Sequence, residues 1–144
     1  MAGPCTFCEI VAGRAPAFVV LDDEVACAFL DVRPLFPGHA LVVPRAHHVT
    51  LGDLPAEDLG AFFGRVRALS RAVPAAMGAT GSFVAMNNVV SQSVPHLHAH
   101  VVPRNPRDGL RGFFWPRTRY GSDDEAAEVA QRIAAALRAE PPGP

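Results

Sequence analysis

Lysine is absent from this chain of 144 residues, tryptophan and tyrosine occur once each, and charged residues make up only 19%. All of the 13 basic residues are therefore arginine, and the net charge is −1. They are scattered along the chain, which argues against the electrostatic footprint of a protein that binds polymeric DNA or RNA. No apolar run approaches the ~18 residues needed to cross a bilayer. The first nine residues lack both the basic start and the apolar core of a secretory signal, which places the protein in the cytoplasm with no membrane partner. With only 3 cysteines there is no disulfide framework, and two of them, Cys5 and Cys8, are spaced for metal binding in a reducing compartment. Cys27, inside the run VACAFL, reads as a small buried hydrophobe.

What is present is a hydrophobic fraction of 49%, enough for one packed core at the usual ~150 residues per domain. We read residues 1–140 as a single domain and the Pro/Gly tail 141–144 as frayed. Residues 18–21 and 25–30 are β-favouring runs joined by the polar turn Asp22-Asp23-Glu24. Pro34, Pro37 and Gly38 break the chain before a third short strand at 39–43, stopped by Pro44. From Pro55 the period changes: Leu59, Phe62, Phe63, Val66, Leu69 and Val73 recur at helical spacing, and Pro74 and Gly78 close that region. Residues 81–86 and 96–102 complete about five strands. Ser122-Asp123-Asp124-Glu125 has the pattern of a capping box ahead of a helix carrying Val129, Ile133 and Leu137. Strands and helices do not alternate, so the expected class is α+β, an antiparallel sheet with two main helices.

The 6 histidines fall in two stretches, His39/His47/His48 and His96/His98/His100. In a strand, residues two apart share a face, so His96, His98 and His100 point one way while Leu97, Ala99 and Val101 point into the core. Same-face neighbours are ~6.6–7 Å apart, so two imidazoles converge on one ion more readily than all three, and a three-histidine zinc centre on this strand is disfavoured. A neutral imidazole is also a competent nucleophile near neutral pH once a partner fixes its tautomer, and the flanking His96 and His100 are placed to do so.

The segment His96-Leu97-His98-Ala99-His100-Val101-Val102 resembles the HxHxHxx signature of the histidine triad (HIT) family. Pro37-Gly38-His39-Ala40-Leu41-Val42-Val43-Pro44-Arg45-Ala46-His47 is similar to the upstream PGHxLVxPxxH segment of that family. The likeness extends to Ala28-Phe29-Leu30-Asp31 and Gln92-Ser93-Val94-Pro95, from about Cys5 to Arg104. It implies a HIT-like antiparallel sheet, a homodimer, and a purine nucleotide substrate. It also implies that His98 attacks an α-phosphorus to form a nucleotidyl-histidine that water hydrolyses, with His100 and His39 orienting its imidazole. Gln92 and Ser93 then donate to phosphoryl oxygens, and Asp31 accepts from ribose hydroxyls. The family commonly carries an asparagine and a glycine-containing loop before the glutamine. Here Asn87-Asn88-Val89-Val90-Ser91-Gln92 is shorter and has no glycine, which leaves open whether Asn87 or Asn88 faces the phosphate.

Cys5-Thr6-Phe7-Cys8 alone is half a zinc site or a redox pair. Zinc-containing relatives complete such a pair with the histidine of the PxxH segment and the first histidine of the triad, which here are His47 and His96, with His48 directed away. Such a Cys2His2 set closes the tetrahedron and makes the zinc structural. Arg104, Arg107, Arg111, Arg117 and Arg119 surround Trp115, where guanidinium forks suit phosphate and an aromatic ring suits a base. Two function classes follow from the resemblance. The first is a hydrolase or transferase cleaving a purine nucleoside phosphoramidate or dinucleoside polyphosphate. The second is a nucleotide-binding interaction protein whose hydrolysis is slow and incidental.

Overall fold

The computed structural model describes residues 3–111 and 117–140, so Trp115 with its apolar neighbours 112–114, and the tail 141–144, lie outside the described residues. Two compact units are present, Met1–Asp108 and Gly109–Pro144. In the first, α1 (Thr6–Val11) precedes β1 (Val19–Asp22), β2 (Ala26–Leu30) and β3 (Ala40–Pro44). A 3₁₀ turn at Leu51–Asp53 then leads into α2 (Ala56–Met77), followed by β4 (Gly81–Ala85) and β5 (Ala99–Arg104). The strands form a five-stranded sheet in the order β1-β2-β3-β5-β4, and every adjacent pair is antiparallel. The expected α+β class and antiparallel sheet are thus observed.

β2 and β3 are buried on both faces, which is why they read as unbroken apolar runs rather than as alternating ones, whereas the edge strands β1 and β4 are partly exposed. Ala26, Ala28, Ala40, Val42, Ala99 and Val101 pack on the α2 stripe Phe62, Val66, Leu69 and Val73. Four of those six strand residues are alanine, so the helix axis can lie close to the sheet. The opposite face presents Cys27, Phe29, Leu41 and Val43 to Phe7, with Ile10 and Val11 of α1 packed against them. Across the β3–β5 ladder His100 is the partner of Leu41, and paired residues share a face. His100 therefore lies on the α1 side.

Three local features differ from the sequence reading. The helix α1 was not expected, because six residues are too short to show a periodic pattern and too short to be stable alone. Its start is capped by a thiol: Cys5 Sγ accepts from Cys8 N–H at 3.4 Å. Second, Pro74 lies inside α2 and does not interrupt it; the helix runs to Met77 and ends, as the sequence implies, at Gly78 in the left-handed conformation, φ 62°. Pro74 sits within the last turn, where its missing N–H costs a single ladder bond, and its own carbonyl accepts from Gly78 and Ala79. Third, β5 begins at Ala99, so His96 and His98 precede the hydrogen-bonded ladder. The alternation still holds, with Leu97, Ala99 and Val101 in the core.

Two turns place the histidine segments. Asp23 Oδ1 accepts from Val25 and Ala26 N–H, closing the β1–β2 turn, and Asp23 Oδ2 accepts from Arg65 of α2 at 3.0 Å. Gly38, immediately before His39, has φ 96°, and a Cβ there would stand 2.5 Å from Met77 Cγ. Only glycine satisfies both the backbone angle and the close approach of the α2 C-terminus. In the second unit α3 (Asp123–Ala139) is capped by Ser122, whose side chain accepts from Glu125 N–H. The Glu125 carboxylate reaches back to Gly121 N–H, one residue earlier than a strict capping box requires. Among the described residues, no helix is long and apolar enough to cross a membrane.

Candidate active site and metal centre

The segment after β3 runs alongside the segment before β5, and three bonds fasten them together. Leu97 N–H donates to His48 O at 2.7 Å, Gln92 Nε2 donates to Val49 O, and Leu51 N–H donates to Asn88 Oδ1 at 2.8 Å. This pairing brings His47 to His96, 49 residues apart in sequence. Cys5 and Cys8, at the start of α1, complete a cluster in which four potential ligand atoms lie within 4.8 Å of one another.

The separations within the cluster discriminate between loose contact and a metal site. Cys5 Sγ and Cys8 Sγ are each 3.5 Å from His96 Nδ1, Cys8 Sγ is 3.3 Å from His47 Nδ1, and the two Nδ1 atoms are 3.2 Å apart. With metal–sulfur bonds of ~2.3 Å and metal–nitrogen bonds of ~2.0–2.1 Å, a tetrahedron has S···N edges of about 3.5–3.6 Å and N···N edges of about 3.3–3.4 Å. The cluster has those edges to within a few tenths of an ångström. His96 Nε2 is 3.0 Å from Pro44 O and must donate to it, since a carbonyl only accepts. This leaves the Nδ1 lone pair directed at the sulfurs, the usual arrangement behind a metal-bound histidine. Burial holds the His96 pKa below its ordinary value, with the Pro44 bond opposing that shift. Cys5, Cys8, His47 and His96 thus fit zinc by chemistry and by spacing. His48 lines a separate cavity of about 260 Å³ with Glu24 and Asp58.

A second group, Asp31, His39 and His100, also places its ligand atoms within 4.8 Å, but its hydrogen bonds give it a different use. Leu35 N–H donates to His39 Nδ1 at 3.0 Å. The neutral His39 ring must then carry its proton on Nε2, which faces His100 Nδ1 at 2.9 Å and Asp31 Oδ2 at 3.7 Å. His100, accepting at Nδ1, is left with its proton on Nε2. A metal at His39 Nε2 would need the opposite tautomer, so this trio is a directed proton chain and not a cation cage. Burial lowers the His39 pKa, opposed by the charge of Asp31, and lowers that of His100 to about 4, with the neighbouring His98 and His39 adding to the effect of burial. Both rings are neutral at pH 7.

His98 stands between the two groups. Its Nδ1 is 2.7 Å from His96 O and donates to it, so the lone pair is on Nε2. The tautomer is set by a main-chain carbonyl and not by the imidazoles of His96, His39 or His100, and His100 meets His98 as a ring contact, centroids 5.0 Å apart. Among the described residues no buried side-chain nitrogen or oxygen lacks a hydrogen-bond partner. The Nε2 atoms of His98 and His100, which have no protein partner, are therefore not sealed from solvent.

The other candidate residues are placed as follows. Asp31 Oδ1 accepts from Arg33 N–H at 2.9 Å, while Oδ2 faces His39. Ser93 is exposed beside the triad segment. The Gln92 amide is bonded to Val89 N–H and Val49 O, and Asn87 Nδ2 donates to Ser91 O at 3.3 Å. Asn88 is committed to Leu51. The glycine-free loop adopts glycine-like backbone, with φ 69° at Val89 and 62° at Ser91. Arg104 is forked onto Asp108 at 2.6 and 3.1 Å. Sequence reasoning missed Phe7, whose ring packs edge-on against His98, centroids 5.1 Å apart and planes at 89°. Its position between the two cysteines was the available signal.

Comparison with known families matches the HIT domain over residues 12–107. An uncharacterized HIT-like protein of Mycobacterium tuberculosis is 41% identical over 108 residues, 74% of each chain. An adenosine 5′-monophosphoramidase of Saccharomyces cerevisiae is 33% identical over 116 residues, 78% of this chain and 70% of that protein. An adenylylsulfatase of Arabidopsis thaliana is 33% identical over 108 residues, 74% of this chain and 55% of that one. Among solved structures, a HIT family member from Bacillus subtilis superposes with a TM-score of 0.81 at 30% identity, covering 99% of this chain and all of that one. A zinc-bound histidine triad protein from Mycobacterium smegmatis gives a TM-score of 0.70 at 34% identity, covering 94% and 97%.

Proposed function

The chain belongs to the HIT family, and from that premise we propose that it cleaves purine nucleotides at the α-phosphate through a covalent intermediate on His98. The observation that carries this reading is the 2.7 Å bond from His98 Nδ1–H to His96 O. It turns the basic Nε2 outward, beside the Nε2–H of His100. A nucleophilic lone pair and a hydrogen-bond donor are then carried on neighbouring rings, centroids 5.0 Å apart.

In the first step the His98 Nε2 lone pair forms a bond to the α-phosphorus while the bond to the leaving group breaks. The departing nitrogen or oxygen takes a proton from solvent while His100 Nε2–H donates a hydrogen bond to it, so the neutral His100 ring keeps its only proton. His39 Nε2–H, already aimed at His100 Nδ1, holds that ring in the tautomer whose Nε2–H faces the leaving group. In the second step water attacks phosphorus and gives up a proton to solvent, the P–Nε2 bond breaks with its electron pair returning to His98 Nε2, and a nucleoside monophosphate leaves. Ser93, Gln92 and Asn87 are the assigned donors to phosphoryl oxygens, with the Gln92 amide exchanging its main-chain partners for phosphate. Asp31 Oδ2 is the assigned acceptor for ribose hydroxyls. The named activities of the yeast and plant relatives favour a nucleoside 5′-phosphate joined to an amine or to a second acid, and phosphoramidates and dinucleoside polyphosphates both fit that description. The zinc would be structural: four protein ligands leave no open position, and the metal would supply folding energy and not Lewis acidity. We further assign a homodimer, a cytoplasmic location and a single domain over residues 1–140.

The test is intact mass under acid-free conditions after brief mixing with an adenosine 5′-phosphoramidate, for the wild type and His98→Ala. A transient adduct of one adenylyl group on the wild type alone is expected. Bound nucleotide with neither adduct nor product would overturn the catalytic reading in favour of a nucleotide-binding interaction protein.

A further inference from the structure

The bond from Nδ1 to His96 O secures one edge of the His98 imidazole. It does not by itself stop the ring from rocking about that anchor, and a nucleophile whose lone pair wanders loses rate steeply. Other groups that limit the ring are those it touches. Among the described residues two rings meet it, and one is His100, which donates a hydrogen bond to the leaving group in the proposed reaction. The other is Phe7, edge-to-face against His98 at 5.1 Å and 89°.

Phe7 is itself held on three sides. Its ring packs on Phe29 at 5.3 Å and on His96 at 6.0 Å, both at 67°. It lies between Cys5 and Cys8, whose sulfurs face His47 and His96, so the backbone carrying the ring is pinned on both sides. At 7% exposure it has little surface left to offer a ligand, which separates it from a residue that walls a nucleotide. Of the two flat rings on that core face, Phe7 and Phe29, Phe7 is the one that meets His98.

We propose that Phe7 is a positioning residue for the reaction, fixing the plane of the His98 imidazole so that Nε2 stays aimed outward, with the Cys5–Cys8 segment holding it in place. This assignment rests on the reading of His98 as nucleophile. Phe7→Leu removes the flat ring while keeping an apolar side chain, and Phe7→Tyr keeps the ring.

The experiment uses the full-length, zinc-loaded chain and has three readouts: the rate of adenylyl adduct formation from an adenosine 5′-phosphoramidate, the affinity for adenosine monophosphate, and long-range proton–nitrogen NMR of the His98 ring at one fixed pH. For Phe7→Leu the adduct rate is expected to fall about tenfold or more with the affinity unchanged, and the His98 signal to change from one tautomer to a mixture. Phe7→Tyr should restore both. An adduct rate in Phe7→Leu equal to that of the wild type would overturn the assignment. So would a loss of nucleotide affinity at an unchanged rate, which is the signature of a binding wall. Should Phe7→Leu fail to fold, the wild type still decides: a nuclear Overhauser contact between the two rings with a single Nδ1–H tautomer supports the assignment, and the absence of either overturns it. No adduct on the wild type would instead overturn the nucleophile reading itself.

Discussion

His98 donates its Nδ1–H to the carbonyl oxygen of His96 across 2.7 Å, so the residue that offers its side chain to the cysteine cluster offers its main chain to the proposed nucleophile. The coupling runs further, because His96 Nε2 donates to Pro44 O at the end of β3. One residue thus ties the N-terminal helix, the third strand and the reacting imidazole together. Whatever displaces His96 displaces His98.

Removing the zinc proposed for the Cys5, Cys8, His47 and His96 cluster should therefore act on stability first. Chelation, or the double change Cys5→Ala with Cys8→Ala, is expected to lower the thermal midpoint by about 10 °C, the size of a few kcal/mol in a chain of this length. Calorimetry of the metal-loaded and stripped protein checks this, together with one zinc per chain by elemental analysis. An unchanged midpoint would count against a structural metal.

The proton chain makes a directional prediction at His39. His39→Ala leaves His100 Nδ1 without a donor and should reduce kcat by about 10–100-fold. His39→Gln, which can still offer an N–H toward His100, should recover part of that loss. Steady-state kinetics on a phosphoramidate, read as kcat and KM separately, decides it. A rise in KM alone would assign His39 to binding.

Stability should fall in mild acid. Burial lowers the pKa of His39 and brings that of His100 to about 4, below the unfolded value of about 6.5. Between those values the unfolded chain binds protons that the folded chain refuses. The stabilisation is complete above the unfolded pKa and is lost as pH falls through the folded one. The urea midpoint should drop between about pH 6.5 and pH 4, and drop less in His100→Gln; the cysteine cluster is common to both proteins, so the difference isolates His100.

The loop before the triad carries backbone strain. Val89, a β-branched residue 72% exposed, holds φ 69°, a region such residues avoid. Val89→Gly should raise stability by about 1 kcal/mol, the relief of strain exceeding the entropy glycine adds to the unfolded chain. Chemical denaturation with an unchanged m-value is the check.

Much of this protein is legible in the chain. Alternation at His96, His98 and His100 announced a polar face backed by Leu97, Ala99 and Val101, because side-chain direction in an extended segment depends on local geometry alone. The stripe of α2 was equally plain, as was its end at Gly78; that Pro74 lies inside the last turn was not. The six-residue α1 and its Phe7 were not legible, since a helix that short is stabilised by what it packs on and shows no period of its own.

By itself, then, the sequence determined the class of fold, the family and the candidate side chains for chemistry, because these depend on residue identity at short spacings. Only the tertiary structure decided which nitrogen of His39, His96, His98 and His100 carries the proton. That choice rests on Leu35 N–H, Pro44 O and His96 O, main-chain groups that every residue possesses and whose partners are settled only when distant segments meet.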